Sequence, residues 1–223
     1  MHGKLIVIEG TDCSGKETQS KLLIDGLRQN GIQVEHFSFP NYDSPTGQII
    51  FGPYLGNGSF GASWFSNGPV KVDPKVAALY YAADRKYNIH KITWLLEHGI
   101  HVILDRYVYS NMAHQGCKIQ DEVERNNMYE WLEQLEFNLL ELPRPDIAIF
   151  LHMPTDKVET LIKNINFIDE NEKDVTYLYE AERSYLELSK KYNFIQIDCT
   201  ENNLIRSIED IHEEVINYIK TNL

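Results

Sequence analysis

Lys4-Leu5-Ile6-Val7-Ile8-Glu9-Gly10-Thr11-Asp12-Cys13-Ser14-Gly15-Lys16-Glu17 is the stretch that decides the fold class. Lys4–Ile8 is a short β-branched apolar run, the mark of a strand buried on both faces in a parallel sheet. A glycine-bounded turn follows, Gly10 to Gly15. Leu22, Leu23 and Leu27 then recur at helical spacing, and Gly31 stands where a helix C-cap belongs. Between strand and helix the residues fit G-x-x-x-x-G-K, which is the context of a phosphate-binding P-loop. Glycines let such a loop curl so that its N–H groups point inward. The helix N-terminus adds positive potential, and Lys16 can reach the β and γ phosphates. One position departs from the motif. A Ser or Thr hydroxyl normally follows the lysine and binds Mg²⁺, but here Glu17 follows, with Thr18 next. A carboxylate is a hard oxygen ligand and can serve a magnesium ion. Equally, an acid in the first helical turn favours the helix dipole with no ligand at all.

Outward from this segment, strands and helices alternate. Ile32–Phe39 reads as a second strand, stopped by Pro40. Residues 41–73 hold six of the 13 glycines and three prolines, so they read as a long irregular connection. Val76, Tyr80, Ala83, Tyr87, Ile92, Leu95 and Leu96 predict a long helix ending at Gly99. His101–Leu104 is a third strand, ending at Asp105. Residues 121–140 form a helix with Met128, Trp131, Leu132 and Leu135 on one face, ended by Pro143 and Pro145. Ile147–Leu151 and Phe194–Ile197 are the fourth and fifth strands. Between them lie a polar stretch, 155–175, and a helix around Tyr177–Tyr192. A last helix spans about 204–220, with Ile208, Ile211, Val215 and Ile219 at spacings of three and four. This alternation predicts an α/β three-layer sandwich, a five-stranded parallel sheet flanked by helices. With no repeat, low-complexity tract or linker, residues 1–223 read as one domain.

Composition narrows the function classes. Hydrophobic residues make up 43% of the 223 and charged residues 24%, which is globular. The longest apolar run, Val76–Ala83, is eight residues, against the ~20 that span a bilayer. The N-terminus carries no apolar signal segment, and no metal-ligand spacing joins Cys13, Cys117 and Cys199. They read as reduced thiols of a cytoplasmic protein. A net charge of −12 argues against a general binder of nucleic acid or anionic membrane. A small anion needs only a few aimed cations, and there are just seven arginines to aim.

Three further clusters carry chemistry. Asp105-Arg106-Tyr107 follows a buried strand, so the acid falls at the ligand crevice of an open α/β sheet and can hold Mg²⁺. The planar fork of Arg106 suits a phosphate, though the pair could equally be a surface ion pair. Ala82-Ala83-Asp84-Arg85 lies on a helix, and Phe39-Pro40-Asn41-Tyr42 closes strand two. Taken with the P-loop, with Ser110-Asn111-Met112-Ala113-His114-Gln115-Gly116, and with Pro145-Asp146 leading into strand four, the order and spacing resemble thymidylate kinase over nearly the whole chain.

The resemblance implies roles. Gly10, Thr11, Asp12, Cys13, Ser14, Gly15, Lys16, Glu17 and Thr18 would bind ATP. Asp12, Phe39, Pro40, Tyr42, Arg85, Arg106, Asn111, His114 and Gln115 would bind dTMP. Phe39 would stack on thymine, Arg85 would reach the base, and Asn111 and Gln115 would lie near it. His114 occupies an aromatic position, often Tyr, that crowds a ribose 2′-hydroxyl. Lys16, Asp12, Arg106 and Asp105 would be catalytic, and Asp12, Glu17 and Asp105 would hold Mg²⁺. A lid would span about 153–176, and Glu172 and Asp174 fall where the family has acidic residues after its lid. Family members supply a catalytic arginine from the P-loop or the lid. Here neither Thr11–Ser14 nor residues 153–182 contain one, which leaves Lys157, Lys163, Lys173 or Arg183. The resemblance also implies a homodimer. Two alternatives stay open: a kinase for another deoxynucleotide or a deoxynucleoside, and a nucleotide-binding protein without turnover.

Overall fold

The computed structural model describes residues 2–57, 62–162 and 175–223. Five parallel strands form the central sheet: β1 (Leu5–Gly10), β2 (Val34–Ser38), β3 (His101–Asp105), β4 (Ile147–His152) and β5 (Ile195–Asp198), in the order β2-β3-β1-β4-β5. Side chains alternate across it, as strand geometry requires. Leu5 and Val7 of β1, Val102 and Leu104 of β3 and Phe150 of β4 face one core. Ile6, Ile8, Ile103, Ile149 and Leu151 face the other. The first core is covered by α3 (Pro74–Glu97), α4 (Val108–Gly116), α5 (Glu122–Glu133) and α7 (Val175–Lys191). The second is covered by α1 (Lys16–Gln29) and α8 (Ile208–Asn222). The chain leaves central β1 for the far edge strand β2, returns to β3, and then crosses to β4 on the other side of β1. Ligands of open α/β sheets bind outside the carboxyl ends of the strands at such a reversal. The register puts Ile8 and Ser38 level with Asp105, and Gly10 level with Leu151, so the loops after β1, β2 and β3 converge there.

Four segments differ from the reading of the sequence. Residues 41–73 are not wholly irregular, for they contain α2 (Pro45–Ile49), continued by a π-helical turn over Ile50–Tyr54. Within the polar stretch 155–175, Thr155–Ile162 forms helix α6. The helix expected over 121–140 is regular only to Glu133, and Gln134–Leu139 is a π-helical turn closed by the Leu140 N–H donating to the Leu135 carbonyl at 2.9 Å. The last helix begins at Ile208, because Thr200–Glu201 (β6) and Leu204–Ile205 (β7) pair antiparallel around Asn202 and Asn203. Both asparagines have positive φ, 49° and 65°, a conformation their short polar side chains tolerate. Among the described residues no helix is long and apolar enough to cross a membrane.

Candidate active site

The P-loop joins the end of β1 to the start of α1. Gly10 is required by space: a Cβ there would lie 2.5 Å from Ser14 Oγ and 2.8 Å from the Leu151 carbonyl of neighbouring β4. Gly15 supplies the left-handed turn into the helix at φ 79°, and Cys13 shares the left-handed region at 54°. Thr11 ties the loop to β4, its hydroxyl donating to the Met153 carbonyl at 2.8 Å. Lys16 is buried, and its Nζ donates to the Thr11 carbonyl at 2.7 Å. Burial, reinforced by the nearby Arg106 guanidinium, pushes the lysine down to about 8; Asp12, Asp105 and Glu9 oppose that shift.

Arg106 has φ 65°, a strained conformation for a residue with a Cβ. Its Nη1 donates to Tyr185 Oη (3.1 Å), Ser110 Oγ (3.3 Å) and His114 Nε2 (3.2 Å), and its Nη2 to Asp12 Oδ1 (3.2 Å). Burial alone would lower its pKa, but Tyr185, Asp12, Asp105 and Glu9 together hold it above the ordinary arginine range. For Asp12 the order is the same: burial raises, while Arg106 and Lys16 outweigh it and keep the carboxyl below its usual value. Since arginine only donates, His114 Nε2 must accept, so Nδ1 carries the proton and donates to Tyr177 Oη at 2.7 Å. Burial and then Arg106 press His114 down to about 3, which keeps the ring neutral.

Two buried acids that sequence reasoning missed arrange these groups. Glu9, fully buried in β1, accepts from the Tyr107 N–H (2.9 Å), the Ser110 N–H (3.1 Å) and Ser110 Oγ (2.5 Å). It thereby anchors the turn that bears Arg106 and the start of α4. Its burial raises its pKa, opposed by those hydrogen bonds and by Arg106. Glu136, in the π-helical turn, grips the Arg85 guanidinium through Nε and Nη2 (the latter at 2.6 Å) and accepts from Asn111 Nδ2 at 2.9 Å. The signals were a glutamate inside an apolar strand and another four residues after Leu132 on an apolar stripe. Neither says what it pairs with. Asp84, next to Arg85, accepts from the Asn41 N–H (2.8 Å), Ser44 Oγ (3.0 Å) and Thr46 Oγ1 (2.7 Å), which fixes the backbone just after Phe39-Pro40.

One cleft gathers Asp12, Phe39, Pro40, Tyr42, Arg85, Arg106, Asn111, His114 and Gln115, all nine of the residues expected to bind the acceptor. Tyr54, Tyr81, Lys118 and Tyr177 are among the other residues of its wall. Phe39 packs against Tyr107 with ring centroids 6.0 Å apart, and Tyr42 against Phe51 at 5.0 Å. Among the described residues, Asn111 Oδ1 and Gln115 Oε1 are buried with no hydrogen-bond partner. A buried unpaired carbonyl is costly unless something fills its place, and both side chains line the cleft.

Glu17, expected at the metal site, lies on the surface of the helix. Its side chain is 72% exposed and paired with Lys21, one helical turn on, at 2.5 Å. From the first turn of α1 it points along the outside of the helix, and Lys21 lowers its pKa. Among the described residues no group of three or more acids, histidines or cysteines is placed to hold a metal ion by itself. Thr18 is exposed as well. Of the lid expected at 153–176, residues 163–174 lie outside the described residues, and with them Lys163, Glu172, Lys173 and Asp174. Lys157 sits 3.4 Å from Asp156, and Arg183 is paired with Glu180.

The comparisons agree with this geometry. The family model described as thymidylate kinase matches residues 8–215. A curated "Thymidylate kinase" of Plasmodium falciparum is 30% identical over 96% of this chain and 88% of its own length. A "Probable thymidylate kinase" of Pyrococcus horikoshii is 33% identical over 100% of this chain and 98% of its own. The solved thymidylate kinase of Candida albicans superposes with a TM-score of 0.74 at 25% identity, covering 99% of this chain and 92% of that one. A P-loop fold, an arginine held at the carboxyl end of β3 and a family match across that whole span lead to one assignment: the chain belongs to the thymidylate kinase family.

Proposed function

We propose that the protein transfers the γ-phosphoryl group of ATP to dTMP, giving ADP and dTDP, through residues 1–223 acting as a single domain. The observation that carries this reading is the pair of unpaired amide oxygens, on Asn111 and Gln115, in the same cleft as Arg85 and Phe39. Thymine offers an N3–H donor beside an acceptor oxygen, and an acceptor next to an arginine donor is its complement. Phe39 supplies an aromatic face for stacking. Arg106 holds the acceptor phosphate, and Lys16 with the loop N–H groups holds the phosphates of ATP. An acceptor phosphate oxygen forms the new bond to the γ phosphorus as the bond to the bridging oxygen of ADP breaks. The protein positions the two nucleotides and neutralises charge. Turnover without leakage to water requires the segment around 153–176 to close over the phosphates.

The donor set fits magnesium. Asp12 in the P-loop and Asp105 at the end of β3 both act electrostatically on Lys16, and Mg²⁺ takes only one or two carboxylates beside phosphate and water. These two acids would hold the ion, which neutralises phosphate charge when bound. Glu17→Gln should therefore leave the Mg²⁺ titration of the rate unchanged and cost only about 0.3–0.5 kcal/mol of stability through the lost Lys21 pair. A several-fold rise in the Mg²⁺ needed for half-maximal rate would return Glu17 to the metal site.

A homodimer also fits. The outer face of α3 is a second apolar stripe, with Val76, Leu79, Tyr87 and Trp94 each more than two-fifths exposed. Three cysteines outside any disulfide, two of them buried, suit a cytoplasmic protein.

A panel of nucleoside monophosphates with ATP tests the assignment. dTMP and dUMP should exceed dCMP and the purine monophosphates by about 10–100-fold in kcat/KM, because a base edge that sets donor against donor leaves buried groups unpaired at about 1–3 kcal/mol. A preference for dGMP or dAMP would end the thymidylate reading.

A further inference from the structure

Asn111 and Arg85 come from different helices, α4 and α3, and both are held by one carboxylate from a third segment. Glu136 has no exposed side-chain surface, and Arg85 has 3%. The grip on Arg85 uses Nε and Nη2, which leaves Nη1 with a single long contact, 3.5 Å to the Tyr107 carbonyl. Asn111 Nδ2 is flanked by two groups that can only accept: the Ala78 carbonyl at 3.1 Å and Glu136 Oε1 at 2.9 Å. Two acceptors on one side dictate which way the amide faces. The nitrogen must turn toward them, and the oxygen is left buried and unpaired beside the cleft.

We infer that Glu136 is the specificity-positioning residue of the acceptor site: through Arg85 and Asn111 it fixes one donor and one acceptor toward the nucleobase, and so selects a thymine-type edge over a cytosine-type edge. The inference rests on reading this cleft as the nucleobase site. Cytosine presents its groups in the opposite sense, an amino donor beside an accepting N3. Against a fixed Asn111 oxygen its N3 meets a lone pair, and against Arg85 its amino group meets another donor. An amide free to rotate would offer nitrogen instead, and the distinction would shrink. A carboxylate can serve Arg85 and Asn111 together because both its oxygens only accept. The π-helical turn over Gln134–Leu139 is the local irregularity that brings this side chain inward, in keeping with the frequent placement of such turns at functional sites.

The test is Glu136→Gln in the full-length enzyme, assayed with ATP against dTMP and dCMP. The glutamine oxygen can satisfy Arg85 or Asn111, but its own NH₂ then faces a donor, so the Asn111 amide is no longer held. The dTMP-to-dCMP ratio of kcat/KM should fall at least about tenfold, a loss of the size that accompanies a lost polar discrimination in a binding pocket. The change should appear mainly in the KM for dTMP, with the KM for ATP unchanged. A variant that melts earlier yet keeps the parent ratio has lost a structural ion pair only, and that result overturns the inference. If the parent itself does not prefer dTMP to dCMP, the fault lies with the nucleobase-site reading. Should Glu136→Gln fail to fold, hydrogen exchange of the Asn111 side-chain amide in the wild-type protein decides. Slow exchange, with and without dTMP, is required by an amide held between Ala78 and Glu136. Fast exchange in the unliganded protein overturns the proposal.

Discussion

Replacing Lys16 by alanine should lower the phosphoryl-transfer rate on the order of 10²–10⁴-fold, the cost of losing one aimed charge from a site where charge develops. The fold should persist. Lys16 is buried, but among the described residues its hydrogen bonds run to the P-loop's own Thr11 carbonyl and Ser14 hydroxyl. Near-parental melting with lost turnover is the expected pair of results. A pH profile gives a second reading of the same group. Burial and the Arg106 charge set the free lysine near 8, so kcat/KM for ATP should decline as pH rises through that value and the ammonium loses its proton. The residual activity of Lys16→Ala should lack this alkaline limb. A folded alanine variant as fast as the parent would remove the P-loop assignment.

Arg106→Lys should cost about 10²–10³-fold in kcat/KM for the acceptor while leaving the KM for ATP near its parental value, because a point charge cannot replace a planar fork. The guanidinium divides its donors among Tyr185, Ser110, His114 and Asp12. A lysine at the same strained backbone position, φ 65°, has three donors from one atom and cannot reach four partners spread over that span. Asp12 then loses the guanidinium hydrogen bond that helps hold its carboxyl low. Equal loss for ATP and for the acceptor would place Arg106 in general structure and not at the acceptor phosphate.

What could be read from the residues alone was whatever is encoded locally. Lys4 to Lys16 specifies strand, turn and anion loop within thirteen positions, and β1, β3 and β4 are mainly apolar runs. The nine cleft residues followed from a resemblance, and the fold brings them together. Helix α4 was invisible to periodicity because its inward positions include Ser110, Asn111 and Gln115, which invert the usual apolar pattern. Glu9 and Glu136 were missed because a buried acid is defined by partners 98 and 51 residues away, and no local pattern names them. The exposed position of Glu17 was not legible, because motif position fixes only where the Cα stands. Lys21, one turn along, decides where the carboxylate goes.

The bonds of Arg106 have a consequence for how the enzyme comes into being. They join residues 94 positions apart (Asp12) and 79 apart (Tyr185), and Glu9 reaches Tyr185 across 176. Contacts of such sequence separation close late, after the chain has lost most of its freedom. A nascent chain with β1, β2 and β3 paired but α7 not yet docked owns a P-loop and half of an acceptor site. During refolding, capture of the acceptor should therefore lag the return of helical signal.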